Sequence, residues 1–314
     1  MKTAEQRSGV TGVVLLIGST VAATLADGTM KDLSARLDAP QVFFLSGVLM
    51  AGWSILVARA GRQTGRFSGS CLRTSLPGLL FCRSLATVAA SLGFFYAIAL
   101  IPLADVFVFI GLMPLMSAVV SRLLLHERLD RMAWAGLGVG LAGVLMLFPA
   151  GIAGVQPGHF AGLLGAFAGT VSLVLARLMA RRESNSLVQV FYPNLALSAA
   201  ALLLLPALWQ PMAPIDVVRI VIYSGLLFVA RWTMVLVMER LRASVALPLM
   251  NMQFVWMVAV GFLFFGEVPA ITTIVGAGLV MGAGGIALLD QVRMDRISRL
   301  AHLQGKSSDA IAAE

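Results

Sequence analysis

Ten apolar stretches, at about 10–31, 41–58, 76–100, 103–125, 132–149, 159–179, 187–208, 215–238, 244–266 and 270–289, fill almost all of this 314-residue chain. A helix needs ~20 apolar residues to cross a hydrocarbon layer ~30 Å thick, because each residue adds ~1.5 Å and the helix satisfies its own backbone hydrogen bonds. Most of the ten reach that length, and the links between them are too short to form domains of their own. Only 12% of residues are charged against 59% hydrophobic, and the mean hydropathy is +0.91; a soluble domain carries about 25% charged residues. No soluble packing hides that much apolar surface. The sequence therefore predicts an all-α membrane protein with ten transmembrane helices.

The formal net charge of +8 follows membrane topology rather than a nucleic-acid surface, because the basic residues sit in short runs between apolar stretches and not along one face. Positively charged links stay cytoplasmic. With both termini on that side, eighteen of the 23 Lys and Arg residues fall in inner links or tails. Three (Lys31, Arg36 and Arg219) fall outside, and two (Arg83 and Arg231) lie within apolar stretches. A miscounted helix would invert every later link, so the asymmetry supports both the ten spans and a multi-pass placement in the inner, cytoplasmic membrane. The first apolar run lacks a small-residue cleavage site and is too long for a signal peptide, so it is read as a permanent helix. Cys71 and Cys82, one in a basic link and one in an apolar stretch, suggest neither a disulfide nor a metal site. From Gln291 onward, Arg293, Arg296 and Arg299 recur at period three, as expected of a basic helix on the cytoplasmic leaflet.

A shift of 140 residues brings Glu127 onto Glu267, Gly136 onto Gly276 and Gly138 onto Gly278, each time leading into a Gly-rich helix. This points to a duplicated five-helix unit. Five is odd, so the second copy enters the membrane from the opposite side, as in inverted-repeat transporters. The chain then divides into a cytoplasmic N-terminus (1–9), a first repeat (10–150), a second repeat (155–290) and a basic cytoplasmic tail (291–314). Specific residues strengthen the case. The run Pro102-Leu103-Ala104-Asp105, Pro114 with Leu115, the link His126-Glu127-Arg128-Leu129, and the Gly136 to Gly143 helix ending near Phe148-Pro149 resemble the first half of an EamA-type member of the drug/metabolite transporter superfamily. The second half is similar more loosely, through Gly266-Glu267 and the Gly276 to Gly285 helix. The resemblance implies two inverted five-helix repeats around a substrate cavity lined mostly by the first, third and fourth helices of each, with the fifth and tenth peripheral. Gln253 and Phe254 stand where the first half has Met113 and Pro114, so the side-chain roles need not be symmetric.

Ionisable groups inside a membrane helix are costly unless paired or wetted, which makes each a candidate for function. Arg83 follows Arg73 by ten residues and Arg231 precedes Arg240 by nine, so both fall about 10 Å below the cytoplasmic surface. They are read as one basic floor for an anionic part of the substrate, since guanidinium forks bind carboxylate or phosphate bidentately; the alternative is snorkelling to the headgroups. Asp27 and Lys31 stand at i,i+4, either as a local ion pair or with Asp27 facing the cavity to take a proton or a substrate amine. Asp105 opens the fourth helix and is a second coupling candidate, or a carboxylate held by the helix dipole. Glu127 and Glu267 are expected to bond nearby link amides. Gln253 is the best polar cavity candidate, ahead of Asn251 and Asn194. Tyr96, Phe109, Met113 and Trp232 are candidates for stacking on a ligand. Gly136, Gly140 and Gly143, with Gly278 and Gly282, form small-residue faces for close packing inside the molecule or for a homodimer through helices five and ten.

No phosphate loop, metal-binding His pair or Ser/His/Asp constellation is present. The sequence predicts no enzyme, no metal and no cofactor. The expected partners are a small-molecule substrate and the lipid bilayer, without nucleic acid. The resemblance implies a secondary active transporter working by alternating access on a small polar or aromatic metabolite. A vitamin or nucleoside-like cargo such as riboflavin or S-adenosylmethionine comes first, and an amino-acid or metabolite exporter second. A channel-like or non-transporting membrane scaffold is the alternative from another class.

Overall fold

The computed structural model describes residues 2–63, 74–125, 131–147, 154–180, 188–240 and 250–283. Within them lie ten helices: α1 (Lys2–Ser34), α2 (Ala39–Gln63), α3 (Pro77–Leu100), α4 (Leu103–Leu125), α5 (Arg131–Leu145), α6 (Pro157–Ala180), α7 (Val188–Leu208), α8 (Pro214–Arg240), α9 (Met252–Phe265) and α10 (Ile271–Ala283). Each falls on one predicted apolar stretch. α1 is already helical from Lys2, through the stretch read as the N-terminal segment. Six helices (α1, α2, α3, α6, α7 and α8) contain segments long and apolar enough to cross a membrane, and the described apolar runs of the other four are shorter. Cys71, Glu127 and the tail from Gln291 lie outside the described residues.

Local chemistry explains the helix ends. Pro77 occupies the first turn of α3, where its missing N–H costs nothing, and Pro102 separates α3 from α4. Gly266 ends α9 in the left-handed conformation at φ 65°, with its N–H on the carbonyl of Phe262 and the Glu267 N–H on that of Gly261. A residue with a Cβ resists that conformation, so glycine here folds the chain back sharply.

The bundle wears much of its apolar surface on the outside, with Leu203 82% and Ile271 80% exposed and Leu263 and Phe264 close behind. That suits a lipid environment. A buried cluster runs through the middle, from Met30, Leu33 and Phe43 through Phe95, Val106, Phe107 and Leu112 to Phe254, Met257 and Val280. The principal packings come in matched sets. α3 lies on α6 and α1 on α8; α4 lies on α6 and α9 on α1; α3 meets α7 and α2 meets α8; α2 pairs with α7 and α4 with α9. Exchanging each helix for the one five places along leaves these eight packings unchanged, while α4 also packs on α5 and α1 on α3.

Glycine allows the closest approaches. A Cβ on Gly93 of α3 would stand 2.6 Å from the Gly165 nitrogen and 2.8 Å from the Ala161 carbonyl of α6. Gly143 of α5 and Gly276 of α10 face each other, a Cβ on either falling within 2.7 Å of the other's carbonyl oxygen, and Gly140 packs on Leu112 and Leu115. These glycines serve contacts inside the molecule, whereas Gly138, Gly278 and Gly282 meet nothing within 4 Å.

The α1–α2, α3–α4, α7–α8 and α9–α10 junctions gather at one end, called here the junction end. Gln41 donates to the Gln210 carbonyl at 2.6 Å, Arg219 pairs with Asp32 at 2.8 Å, and Lys31 donates to the Ile101 carbonyl at 2.8 Å. Gly158, opening α6, packs against Leu100 and Ile101, which brings the start of α6 to the same end.

Gly93→Val is expected to destabilise the protein by about 1–3 kcal/mol, because backbone atoms of α6 cannot give way to the added branch. Gly138→Ala, entering open space, is expected to be neutral or slightly stabilising. Thermal unfolding of both variants in detergent checks the contrast.

Candidate functional site

Proline makes the first half of the site. Pro193 lies inside α7 and has no N–H, so the carbonyl four residues earlier, at Gln189, loses its helical donor. Inside a membrane such a carbonyl must find another partner. Arg83 of α3 provides it, donating through Nη1 to the Gln189 oxygen. Arg83 Nε is buried and has no hydrogen-bond partner among the described residues. One turn further along α7, Asn194 is buried, gives its Nδ2 to the Val190 carbonyl at 2.7 Å, and accepts a long bond of 3.5 Å from Arg231 Nη1 of α8. The two guanidinium groups lie close enough to interact electrostatically. Neither has a carboxylate within ion-pairing distance among the described residues. The structure thus brings Arg83 and Arg231 onto one short segment of α7, spanning about 7.5 Å of helix axis.

A second polar group lies nearer the junction end. Asp27 of α1 accepts a long bond of 3.5 Å from Gln253 Nε2 of α9, its one hydrogen-bond partner among the described residues. Tyr223 of α8 is buried, its hydroxyl makes no hydrogen bond among the described residues, and it interacts electrostatically with both Asp27 and Arg231. The relative depth follows from one anchor, the 2.8 Å bond from Ser19 Oγ of α1 to the Ala230 carbonyl of α8. Asp27 lies eight residues past Ser19 and Tyr223 seven before Ala230 on a helix running the other way. Both therefore stand level, about 12 Å along the bundle from Arg231. Asp27, Gln253 and Arg231 are each partly accessible.

The third polar group closes the junction end. Of the two readings of Asp27 and Lys31, the structure gives no local ion pair among the described residues: the Lys31 ammonium meets Glu267 Oε1 at 2.6 Å and lies 5.7 Å from the Phe265 ring centroid. The cause is a corner in the backbone. α3 ends at Leu100 and α4 begins at Leu103, which leaves unpaired carbonyls at one helix end and unpaired N–H groups at the next. Lys31 donates to the Ile101 carbonyl, and Glu267 Oε2 accepts from the Leu103 N–H at 3.0 Å. Each charge sits where the helix dipole favours it. Asp105 lies beside this cluster and accepts from Thr273 Oγ1 at 2.7 Å, tying α4 to α10.

Residues 10–148 match the EamA-like transporter family. Over 283 residues the chain is 26% identical to the pseudopaline exporter CntI of Pseudomonas aeruginosa, in each of two strains, covering 87% of this chain and 94% of that protein. A solved crystal structure shares the fold with a TM-score of 0.59 at 22% identity, covering 91% of this chain and 96% of its own. The first half of the chain is thus similar to EamA-like membrane transporters.

Within the bundle, several predicted site residues lie elsewhere. Tyr96 is 48% exposed, on the face of α3 that also carries Phe81, Leu85 and Leu100, so it points out of the bundle. Phe109 is buried against Gly162 of α6, and Met113 reaches Gly169 of the same helix; both are packing between α4 and α6. Trp232 stacks on Phe228 at 6.3 Å and packs against Ala58 of α2. Sequence reasoning passed over Tyr223, a lone tyrosine in an apolar stretch. It also passed over the Pro193–Gln189 pair, whose signal was a proline four residues past a residue at the depth of two arginines.

Lys31→Ala and Glu267→Ala are each expected to cost about 1–3 kcal/mol, since each leaves a partly buried charge and a helix end unpartnered. The double variant should lose less than the sum of the two, with a coupling of about 1 kcal/mol or more in a double-mutant cycle followed by denaturant unfolding.

Proposed function

We propose that this protein is a secondary active exporter of a small metabolite bearing a carboxylate or phosphate, working by alternating access around the cavity between α1, α3, α7, α8 and α9. The Arg83–Arg231 arrangement carries the reading: two membrane-embedded guanidinium groups with spare donors and, among the described residues, no protein anion beside them. A carboxylate or phosphate completes such a pair with charge-assisted, bidentate bonds. The exporter named among its relatives supports the outward direction. A planar vitamin or nucleoside ring has less support, because Phe109, Tyr96 and Trp232 are spent on packing or face outward.

The matched helix packings and the 140-residue sequence shift support an architecture of two inverted five-helix repeats, and ten spans in all. The gathering of alternate junctions at one end supports the same plan. In this reading the junction end is periplasmic and both termini are cytoplasmic, in the inner membrane. A fluorescent-protein fusion after Glu314 should then glow and an alkaline phosphatase fusion at the same place stay inactive; the reverse pattern overturns the orientation.

For the cargo, spent-medium metabolite profiles of cells expressing the wild-type chain, Arg231→Ala and Arg83→Lys are compared at equal membrane abundance. Arg231→Ala should lower the wild-type-dependent export of acidic metabolites at least about tenfold, the equivalent of ~1.4 kcal/mol in binding. Arg83→Lys keeps a donor near the Gln189 carbonyl but loses the fork, and should fall between the two. Unchanged export in both variants would sink the anion reading.

A further inference from the structure

We infer that the cargo is dipolar: Asp27, with Gln253 and Tyr223, holds a cationic amine while Arg231 and Arg83 hold an acidic group of the same molecule, the two charges standing at opposite ends of a chain. The inference rests on the anion-binding reading of the arginine pair and deepens it.

Asp27 is the observation that asks for a cation. A carboxylate among membrane helices is costly unless a positive charge or a proton meets it, yet its one hydrogen bond among the described residues comes from the neutral amide of Gln253 at the long distance of 3.5 Å. The nearest lysine along α1, Lys31, is committed to Glu267 at 2.6 Å and to the Ile101 carbonyl. The cavity therefore has an acidic pole without a base and a basic pole without an acid. Tyr223 stands in electrostatic reach of both, with a hydroxyl that makes no protein hydrogen bond among the described residues. An amine on the ligand satisfies the acidic pole and an acid group the basic one, so a molecule carrying both binds better than either charge alone.

The spacing narrows the class further. The Ser19–Ala230 bond sets Asp27 and Arg231 about 12 Å apart along the bundle at the backbone. The flexible stem of arginine shortens the gap between the charges, but an amine and an acid on one carbon span too little of it. The geometry selects molecules in which several bonds separate the two, such as ω-amino acids or amino acids extended by an acidic arm.

The test uses purified full-length protein in detergent. Glycine, 4-aminobutanoate, 6-aminohexanoate and 8-aminooctanoate are the dipolar probes; hexanoate and hexylamine carry one charge each. Binding is read by calorimetry and by the shift in thermal unfolding. The 6- or 8-carbon amino acid should bind at least about tenfold tighter than glycine and than hexanoate. Asp27→Asn should shrink the advantage over hexanoate to about threefold or less, and Asp27→Glu should keep most of it, separating loss of charge from loss of folding. Arg231→Gln should weaken hexanoate and the dipolar probes alike. If the long amino acids never exceed hexanoate, or if no dipolar probe binds at about 10 mM, the dipolar inference is overturned. In the first case the anion reading survives provided Arg231→Gln still weakens hexanoate. If Asp27→Asn leaves the binding advantage intact in detergent but, in protein reconstituted into liposomes, removes the response of transport to an imposed pH gradient, Asp27 carries a proton and the amine assignment is overturned.

Discussion

A backbone carbonyl stripped of its donor inside a membrane has nowhere to turn but to another part of the protein, and that constraint organises the basic side of this protein. Pro193 frees the Gln189 carbonyl, Arg83 takes it, and α3 is thereby fixed to α7 at a defined depth. The same short segment of α7 presents Asn194 to Arg231. Two arginines from different helices thus meet through one irregularity in a third. The proline is costly only in isolation; in the bundle it is the reason a cation stands there.

The junction end obeys the same constraint with opposite charges. Where α3 turns into α4, one helix offers free carbonyls and the next free N–H groups, and the Lys31–Glu267 pair covers both with one ion pair. Glu267 is in place because Gly266 ends α9 in a left-handed turn that glycine adopts without strain. A link glutamate, a lysine two hundred residues away and a helix corner between them form one unit, and this unit draws Lys31 away from Asp27.

The helices were legible in the sequence because in lipid each satisfies its own backbone, so a local property, apolar length, suffices to find it. The common depth of Arg83 and Arg231 was legible for a related reason: counting residues from the charged ends measures distance along a helix. Contacts between helices were not. Asp27 and Lys31 are neighbours at i,i+4, but spacing along one helix says nothing of a stronger partner arriving from another, and Glu267 arrives from the α9–α10 link. Placing Lys31 and Glu267 on the same side of the bilayer, as the topology count already did, was the available clue. The aromatic candidates failed because residue type does not fix a face. Tyr96 shares its angular position on α3 with Phe81 and Leu85, a pattern visible in the sequence once the helix is drawn as a wheel.

The contact between Gly93 and Gly165 has a mechanical side. Two helices whose backbones touch, with no side chains between them to act as bearings, cannot slide or roll past each other without collision. α3 and α6 therefore travel together, and they come from different halves of the sequence. α1 and α8, tied by Ser19 and by Arg219 with Asp32, make the mirror-image partnership. In the proposed alternating-access cycle the moving pieces are hybrids, each assembled from both halves, with Arg83 riding on one and Asp27 and Arg231 on the other.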